Sequence, residues 1–250
     1  MVNPSEIIEY VIEKSNIVLH VLDSRMIQET RNKDIEEKIR RSKKKIIYVI
    51  NKSDLVNEKD LRQKIQTQGL GQYVIVSATK GYGVSKLREQ IKITAKNMRK
   101  SQVNVGVVGY SNVGKSTIIN CLKRKKVTQT SPRAGYTRGV HRIRLDSGIT
   151  LIDSPGDLGS RSEDQVWKAK IGTIAIDKIK DPDIVASDLI DTLNGKIEKH
   201  YNIDRTSCEH AFDVLEAIAL KFHMLRKGGE PDVDKASRMV IKHWQSGKIR

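Results

Sequence analysis

One eight-residue segment constrains this chain more than any other. Gly109-Tyr-Ser-Asn-Val-Gly114-Lys115-Ser116 follows the apolar run Val103 to Val108 and precedes a helical pattern over Lys115 to Leu122. A strand, a glycine-framed turn and a helix in that order make a phosphate cradle. The glycines let backbone N–H groups approach oxygens at the positive end of the helix. Within it Val113, Gly114, Lys115, Ser116 and Thr117 are the expected phosphate-facing positions. Lys115 supplies a point charge for the β and γ phosphates, and Ser116 a hydroxyl for Mg²⁺.

The surroundings fit a parallel α/β sheet. Short β-rich runs at Ile17 to Leu22, Ile46 to Ile50, Tyr73 to Val76 and Ile149 to Ile152 alternate with helical patterns at Asp34 to Arg41, Glu58 to Thr67 and Val84 to Met98. Val140 to Leu145 alternates polar and apolar positions, as an edge strand with one wet face does. A mostly parallel six-stranded sheet is the expected fold. After about residue 165 the pattern turns helical. Thr206 and Glu209 form a capping-box pattern ahead of the stripe Phe212, Leu215, Ile218, Ala219, Phe222 and Leu225, with Gly228-Gly229 expected to end it. Ala236, Met239, Val240, His243 and Trp244 make a second stripe. The expected division is residues 1–164 and a small all-helical domain over residues 165–250.

Other motifs specify what the cradle holds. Asp153-Ser-Pro-Gly156 closes the Ile149 to Ile152 strand, about forty residues behind the cradle. Ligands gather at such strand ends, so Asp153 is expected at Mg²⁺ through water and the Gly156 amide at the γ phosphate. Between these motifs Thr137 is the candidate second Mg²⁺ ligand, with Thr128, Thr130 and Ser131 as competitors. Asn51-Lys52-Ser53-Asp54 follows the second strand and is expected to choose the base. A carboxylate at Asp54 matches guanine N1–H and the 2-amino group, a pair of donors that adenine lacks. Asn51 would brace the loops, and the Lys52 stem would lie along the ring. Ser77-Ala78-Thr79 ends the third strand and would offer the Ala78 amide to guanine O6. Asn51 and Asp54 together oppose an ATPase.

The motif order is rotated, since base recognition precedes phosphate binding. In this the chain resembles the circularly permuted P-loop GTPases of the YlqF/RbgA type. Asp23-Ser-Arg25 with Thr30-Arg-Asn32, and Lys227-Gly-Gly-Glu-Pro-Asp232 through Trp244-Gln-Ser-Gly-Lys248, extend the likeness along nearly the whole chain. The resemblance implies a Ras-like fold with its motifs in the order G4-G5-G1-G2-G3. It also implies GTP/GDP and Mg²⁺ as ligands, slow GTP hydrolysis without an activator, and a part in assembly of the large ribosomal subunit through ribosomal RNA. Asn112 resembles the asparagine that helps bind K⁺ in cation-dependent GTPases; the alternative is an asparagine that only shapes the loop. Lys115, Thr137 and Gly156 are the catalytic candidates. The amino-terminal P-G-H segment of bacterial relatives is missing, and Asp157 follows D-S-P-G, so no residue is assigned to the attacking water. A module that holds GTP as a structural ligand is the rival reading.

Charge agrees with a polyanionic partner. Residues 1–164 carry 31 basic and 17 acidic side chains, and residues 165–250 carry 15 and 13. The positive field therefore belongs to the first part, with dense runs at Lys38 to Lys45 and Lys123 to Lys126. Cys121 and Cys208 stand far apart, which fits a reducing cytoplasm better than a disulfide framework. No apolar run reaches the roughly 20 residues of a membrane span.

Overall fold

The computed structural model describes residues 4–123, 141–153 and 164–249. The chain divides into two compact units, Met1–Gly159 and Ser160–Arg250.

The first unit is built on a six-stranded sheet. Its strands are β1 (Ile17–Asp23), β2 (Lys45–Asn51), β3 (Tyr73–Ile75), β4 (Val103–Val108), β5 (His141–Asp146) and β6 (Ile149–Asp153), in the spatial order β3-β2-β1-β4-β6-β5. All pairs are parallel except β5 with β6. Every residue of β1 is buried, as a strand covered on both faces must be. On edge strand β5, Arg142 and Arg144 are exposed while Leu145 is buried, the alternation expected of a half-wet strand.

Helix α1 (Pro4–Lys14) precedes the sheet, and α2 (Ile27–Thr30), α3 (Lys33–Arg41), α4 (Glu58–Thr67), α5 (Val84–Asn97) and α6 (Lys115–Lys123) lie between its strands. The Asn32 side chain caps α3 and the Asn57 side chain caps α4, each accepting two backbone N–H groups. Leu22, Ile27, Tyr48, Ile50, Leu61 and Ile65 form one core cluster. At the sheet's opposite end Asn16 ties three strands. Its N–H donates to the Asn104 carbonyl, its Oδ1 accepts from the Asn104 N–H, and its carbonyl accepts from Lys45. This parallel core fixes where the carboxyl ends of β1, β2, β4 and β6 emerge.

The second unit contains α7 (Gln165–Ile171), α8 (Pro182–Leu193), α9 (Lys196–Tyr201), α10 (Ala211–Lys221) and α11 (Val233–Gln245). Trp244 Nε1 donates to the Lys170 carbonyl at 3.0 Å, and Gln245 Nε2 donates to Ala169 at 2.7 Å, locking α11 to α7. Three expectations fail here. Thr206 does not cap α10, because Asp204 takes both its N–H and its hydroxyl in a separate turn. Asp213 instead accepts the N–H groups of Glu209 and His210. The helix stops at Lys221 rather than at the glycines, since His223 adopts a left-handed φ of 52°. Phe212, Phe222 and Leu225, counted in the core stripe, are each 46% exposed. Among the described residues no helix is long and apolar enough to cross a membrane.

Candidate functional site

The site assembles at the carboxyl ends of the parallel strands. β2 ends at Asn51, which stands in register with Asp23 of β1, and β6 ends at Asp153, in register with Val107 of β4. The ends of β1, β2, β4 and β6 therefore lie side by side although they are far apart in sequence.

Asn51 links the two halves of the site. It is 3% exposed; its Nδ2 donates to the Val113 carbonyl at 2.8 Å and its Oδ1 accepts the Ala78 N–H at 3.1 Å. One amide thus fixes the cradle of residues 109–116 against the Ser77-Ala78-Thr79 turn. The Ala78 N–H expected at guanine O6 points at Asn51 in this structure.

Lys52 has a left-handed φ of 62°, a bend that starts the short turn Ser53–Leu55. That turn brings Asp54 to Ser77, whose hydroxyl donates to Asp54 Oδ1 at 2.6 Å. One carboxylate oxygen is thereby held, and the planar group is oriented by the next strand's loop. A cavity of about 290 Å³ opens beside them, lined by Asp54, Ser53, Ser77, Lys80 and Tyr82 among others. Thr79 is exposed, and its hydroxyl lies 3.4 Å from that of Ser77.

The cradle is shaped by close approach. A Cβ on Gly114, whose φ is +98°, would sit 2.2 Å from Asn51 Nδ2. A Cβ on Gly109 would sit 2.6 Å from the Val21 carbonyl oxygen. Neither position tolerates a side chain. Lys115 is buried, and its ammonium donates to the Gly109 and Tyr110 carbonyls at 2.5 and 2.6 Å. The cation is folded into the cradle it serves. Ser116 and Thr117 are exposed at the start of α6. Asn112 is exposed with a left-handed φ of 61°, a conformation asparagine tolerates better than most residues. That geometry is what a loop-shaping asparagine requires.

Beneath the cradle lies a polar layer that the motifs did not reveal. Tyr110, 1% exposed, accepts from Asn32 Nδ2 at 3.0 Å. Arg31 pairs with the fully buried Glu36 through Nε and Nη2, at 2.7 and 3.0 Å, and its Nη1 donates to the Gln68 carbonyl. His20, also fully buried, lies 3.7 Å from Glu36, and neither ring nitrogen has a hydrogen-bond partner among the described residues. Burial lowers the His20 pKa to about 4, against the pull of Glu36. Burial alone would raise the Glu36 carboxyl, but Arg31 and its neighbours hold it below its usual range.

The Asp23-Ser24-Arg25 segment was visible only as a resemblance. In the structure it surrounds Lys52. Asp23 is 4% exposed and receives Arg25 Nε and Nη2 at 3.0 and 2.8 Å and Lys52 Nζ at 2.8 Å. Ser24 donates its N–H to the Asn51 carbonyl and its hydroxyl to the Lys52 carbonyl.

Thr137, Gly156, Asp157, Thr128, Thr130 and Ser131 lie outside the described residues. Asp153 is partly buried at the end of β6. Of the basic run at Lys38 to Lys45, Lys38, Arg40 and Arg41 pair with Glu9, Glu36 and Glu37. Half of that run is therefore a neutralised helix end.

Residues 104–210 match the model of the 50S ribosome-binding GTPase family. An uncharacterized GTP-binding protein of Methanocaldococcus jannaschii is 37% identical over 248 residues, 98% of this chain and 65% of that protein. The GTPase grn1 of Schizosaccharomyces pombe is 31% identical, over 96% of this chain and 59% of its own length. Nucleolar GTP-binding protein 2 of Saccharomyces cerevisiae is 33% identical, over 96% and 50%. The chain spans half to about two thirds of these relatives. In fold it is similar to GDP-bound YlqF, with a TM-score of 0.70 and 24% identity, covering 96% of this chain and 94% of the other. GNP-bound YlqF from T. maritima gives 0.68 and 23%, over 96% and 92%.

Proposed function

We propose that this chain is a circularly permuted P-loop GTPase of the YlqF type that binds GTP and GDP, hydrolyses GTP and acts in ribosome assembly. The observation that carries the nucleotide reading is the Asn51 side chain, bonded at once to the Val113 carbonyl and the Ala78 N–H. That tie sets a guanine-reading turn and a phosphate cradle at a fixed separation.

Asp54, oriented by Ser77, accepts from guanine N1–H and the 2-amino group. The Val113, Gly114, Lys115, Ser116 and Thr117 amides face the phosphates, with the α6 amino terminus behind them. Lys115 leaves its two carbonyls for phosphate oxygens when nucleotide enters, exchanging neutral acceptors for charged ones. Ser116 and Asp153 are hard oxygen donors at neighbouring strand and helix ends, the donor type that suits Mg²⁺. The ion, once bound, offsets charge on the β and γ oxygens. Thr137 and Gly156 are proposed as the residues that sense the γ phosphate. Equal hydrolysis rates in KCl and NaCl would assign Asn112 to loop shape alone.

The similarity to a 50S ribosome-binding GTPase family and to a nucleolar GTP-binding protein favours a ribosomal partner. So does the excess of 31 basic over 17 acidic side chains in residues 1–164. Contact with RNA phosphates then weakens steeply with salt. Co-sedimentation with isolated small and large ribosomal subunits, in GDP and in a non-hydrolysable GTP analogue, tests this. The reading predicts binding to the large subunit that depends on nucleotide. Binding indifferent to nucleotide, or to neither subunit, refutes the ribosomal part. GTP bound without turnover in the presence of those particles makes it a structural ligand.

A further inference from the structure

We infer that Asp23 is a positioning residue for guanine recognition: its buried carboxylate holds the Lys52 ammonium so that the lysine stem is presented to the purine ring. The inference rests on the nucleotide reading above and assigns a task to the segment after β1.

The geometry begins with the strand register. Asp23 and Asn51 are the last residues of adjacent parallel strands and stand opposite each other. The residue after Asn51 therefore emerges beside the residue after Asp23. Ser24 exploits that adjacency, bonding the carbonyls of both Asn51 and Lys52 at 2.9 and 2.8 Å. The Lys52 backbone, already bent by its φ of 62°, is held on both sides. Its side chain is anchored on Asp23 Oδ2 at 2.8 Å.

Charge explains why an anchor is needed. Lys52 is only 17% exposed in its side chain, and burial lowers its pKa. An ammonium placed there without a counter-charge would swing to water, taking the stem with it. Asp23 prevents this. Burial would raise its own carboxyl, but the hydrogen bonds and charge of Arg25, with Lys52, hold it below the usual range. Arg25 makes a two-point contact with both oxygens, which fixes the plane of the carboxylate. The carboxylate that points Lys52 is thus itself aimed by a rigid guanidinium. Asp54 reads the edge of the base through hydrogen bonds. The Lys52 stem offers a face, and a face does not distinguish one purine edge from another.

That division gives the test. Affinities for fluorescent GDP and IDP are measured for the wild type, Asp23→Asn, Lys52→Met and the double variant, with the melting temperature in nucleotide-free buffer as the control for folding. Asp23→Asn weakens GDP and IDP by the same factor, about tenfold, because the lost element is the stacking face. The double variant is no weaker than Lys52→Met alone. Factors that multiply in the double variant, or a changed GDP to IDP ratio in Asp23→Asn, overturn the proposal. If Asp23→Asn does not fold, Lys52→Ala against Lys52→Met decides it. The proposal requires alanine, which lacks the stem, to bind GDP more weakly than methionine, and equal affinities refute it. A wild type with no affinity for GDP refutes the nucleotide reading itself, together with everything built on it.

Discussion

Replacing Asn51 by alanine should separate the two halves of the site while leaving every strand intact. The side chain is almost fully buried and makes two bonds, to the Val113 carbonyl and from the Ala78 N–H. Val113 and Ala78 are themselves 1% and 5% exposed, so both orphaned groups stay away from water. An unsatisfied buried polar group costs about 1–3 kcal/mol, which for two groups centres on about 4 kcal/mol. For a unit the size of Met1–Gly159 that amounts to a melting shift of about 8 to 16 °C. Far-UV circular dichroism on heating measures it. Asn57→Ala is the matched control, because Asn57 makes two bonds of the same kind at the exposed start of α4 and its loss costs only about 1 kcal/mol. GDP affinity should fall in Asn51→Ala and not in Asn57→Ala. A melting shift below about 2 °C for Asn51→Ala, or unchanged GDP affinity, would refute the argument that this amide carries the site.

The remaining expectations concern single groups. His20 has a folded pKa of about 4 against an ordinary 6.5, so the unfolded chain takes up a proton that the native chain refuses. Its contribution is full above pH 6.5 and is lost as pH falls toward 4, about 3 kcal/mol in all. Denaturant unfolding at pH 7 and pH 4.5 should show a smaller acid loss in His20→Phe than in wild type; equal losses sink the idea. Gly114→Ala must move Asn51 and strain a φ of +98°, costing about 1–3 kcal/mol in the backbone alone. Its GDP affinity by calorimetry should drop, and a normal value would contradict the cradle geometry. Asp54→Asn exchanges an acceptor for a donor and should shift preference from guanine to xanthine nucleotides in a competition assay. Retained guanine preference would remove Asp54 from base recognition.

The strands were legible because a sheet covered on both faces demands short apolar runs, and Ile17–Asp23 is such a run with every residue buried. The cradle was legible because its glycines are obligatory at fixed spacing. Sequence reasoning stopped where partners are set by register between strands. Asp23, Ser24 and Lys52 meet because β1 and β2 end side by side, and no local pattern encodes that. The layer of His20, Glu36, Asn32 and Tyr110 was hidden for a second reason. A single polar residue has no visible role in the sequence until a partner from another element appears, as Asn32 does for Tyr110 at 3.0 Å. The α10 cap went astray through competition between equivalent side chains. Thr206 fits the capping pattern, but Asp204, two residues earlier, captures it first.

Rotation of the motif order changes which contacts must be long-range. The base-reading half closes over short stretches: Ser24 reaches Lys52 across 28 positions, Ser77 reaches Asp54 across 23, and Asn51 reaches Ala78 across 27. The phosphate cradle is one continuous turn on β4. The joins between halves are the distant ones, Asn51 to Val113 across 62 positions and Asn32 to Tyr110 across 78. Loop closure grows only slowly with length, so this separation is tolerable thermodynamically. Its consequence is mechanical. In this order each half is local in the chain, and the buried Asn51 amide bonds both the base-reading turn and the cradle. Any residue that moves the Asn51 backbone therefore shifts both halves together. Ser24, bonded to the Asn51 and Lys52 carbonyls, is placed to do so.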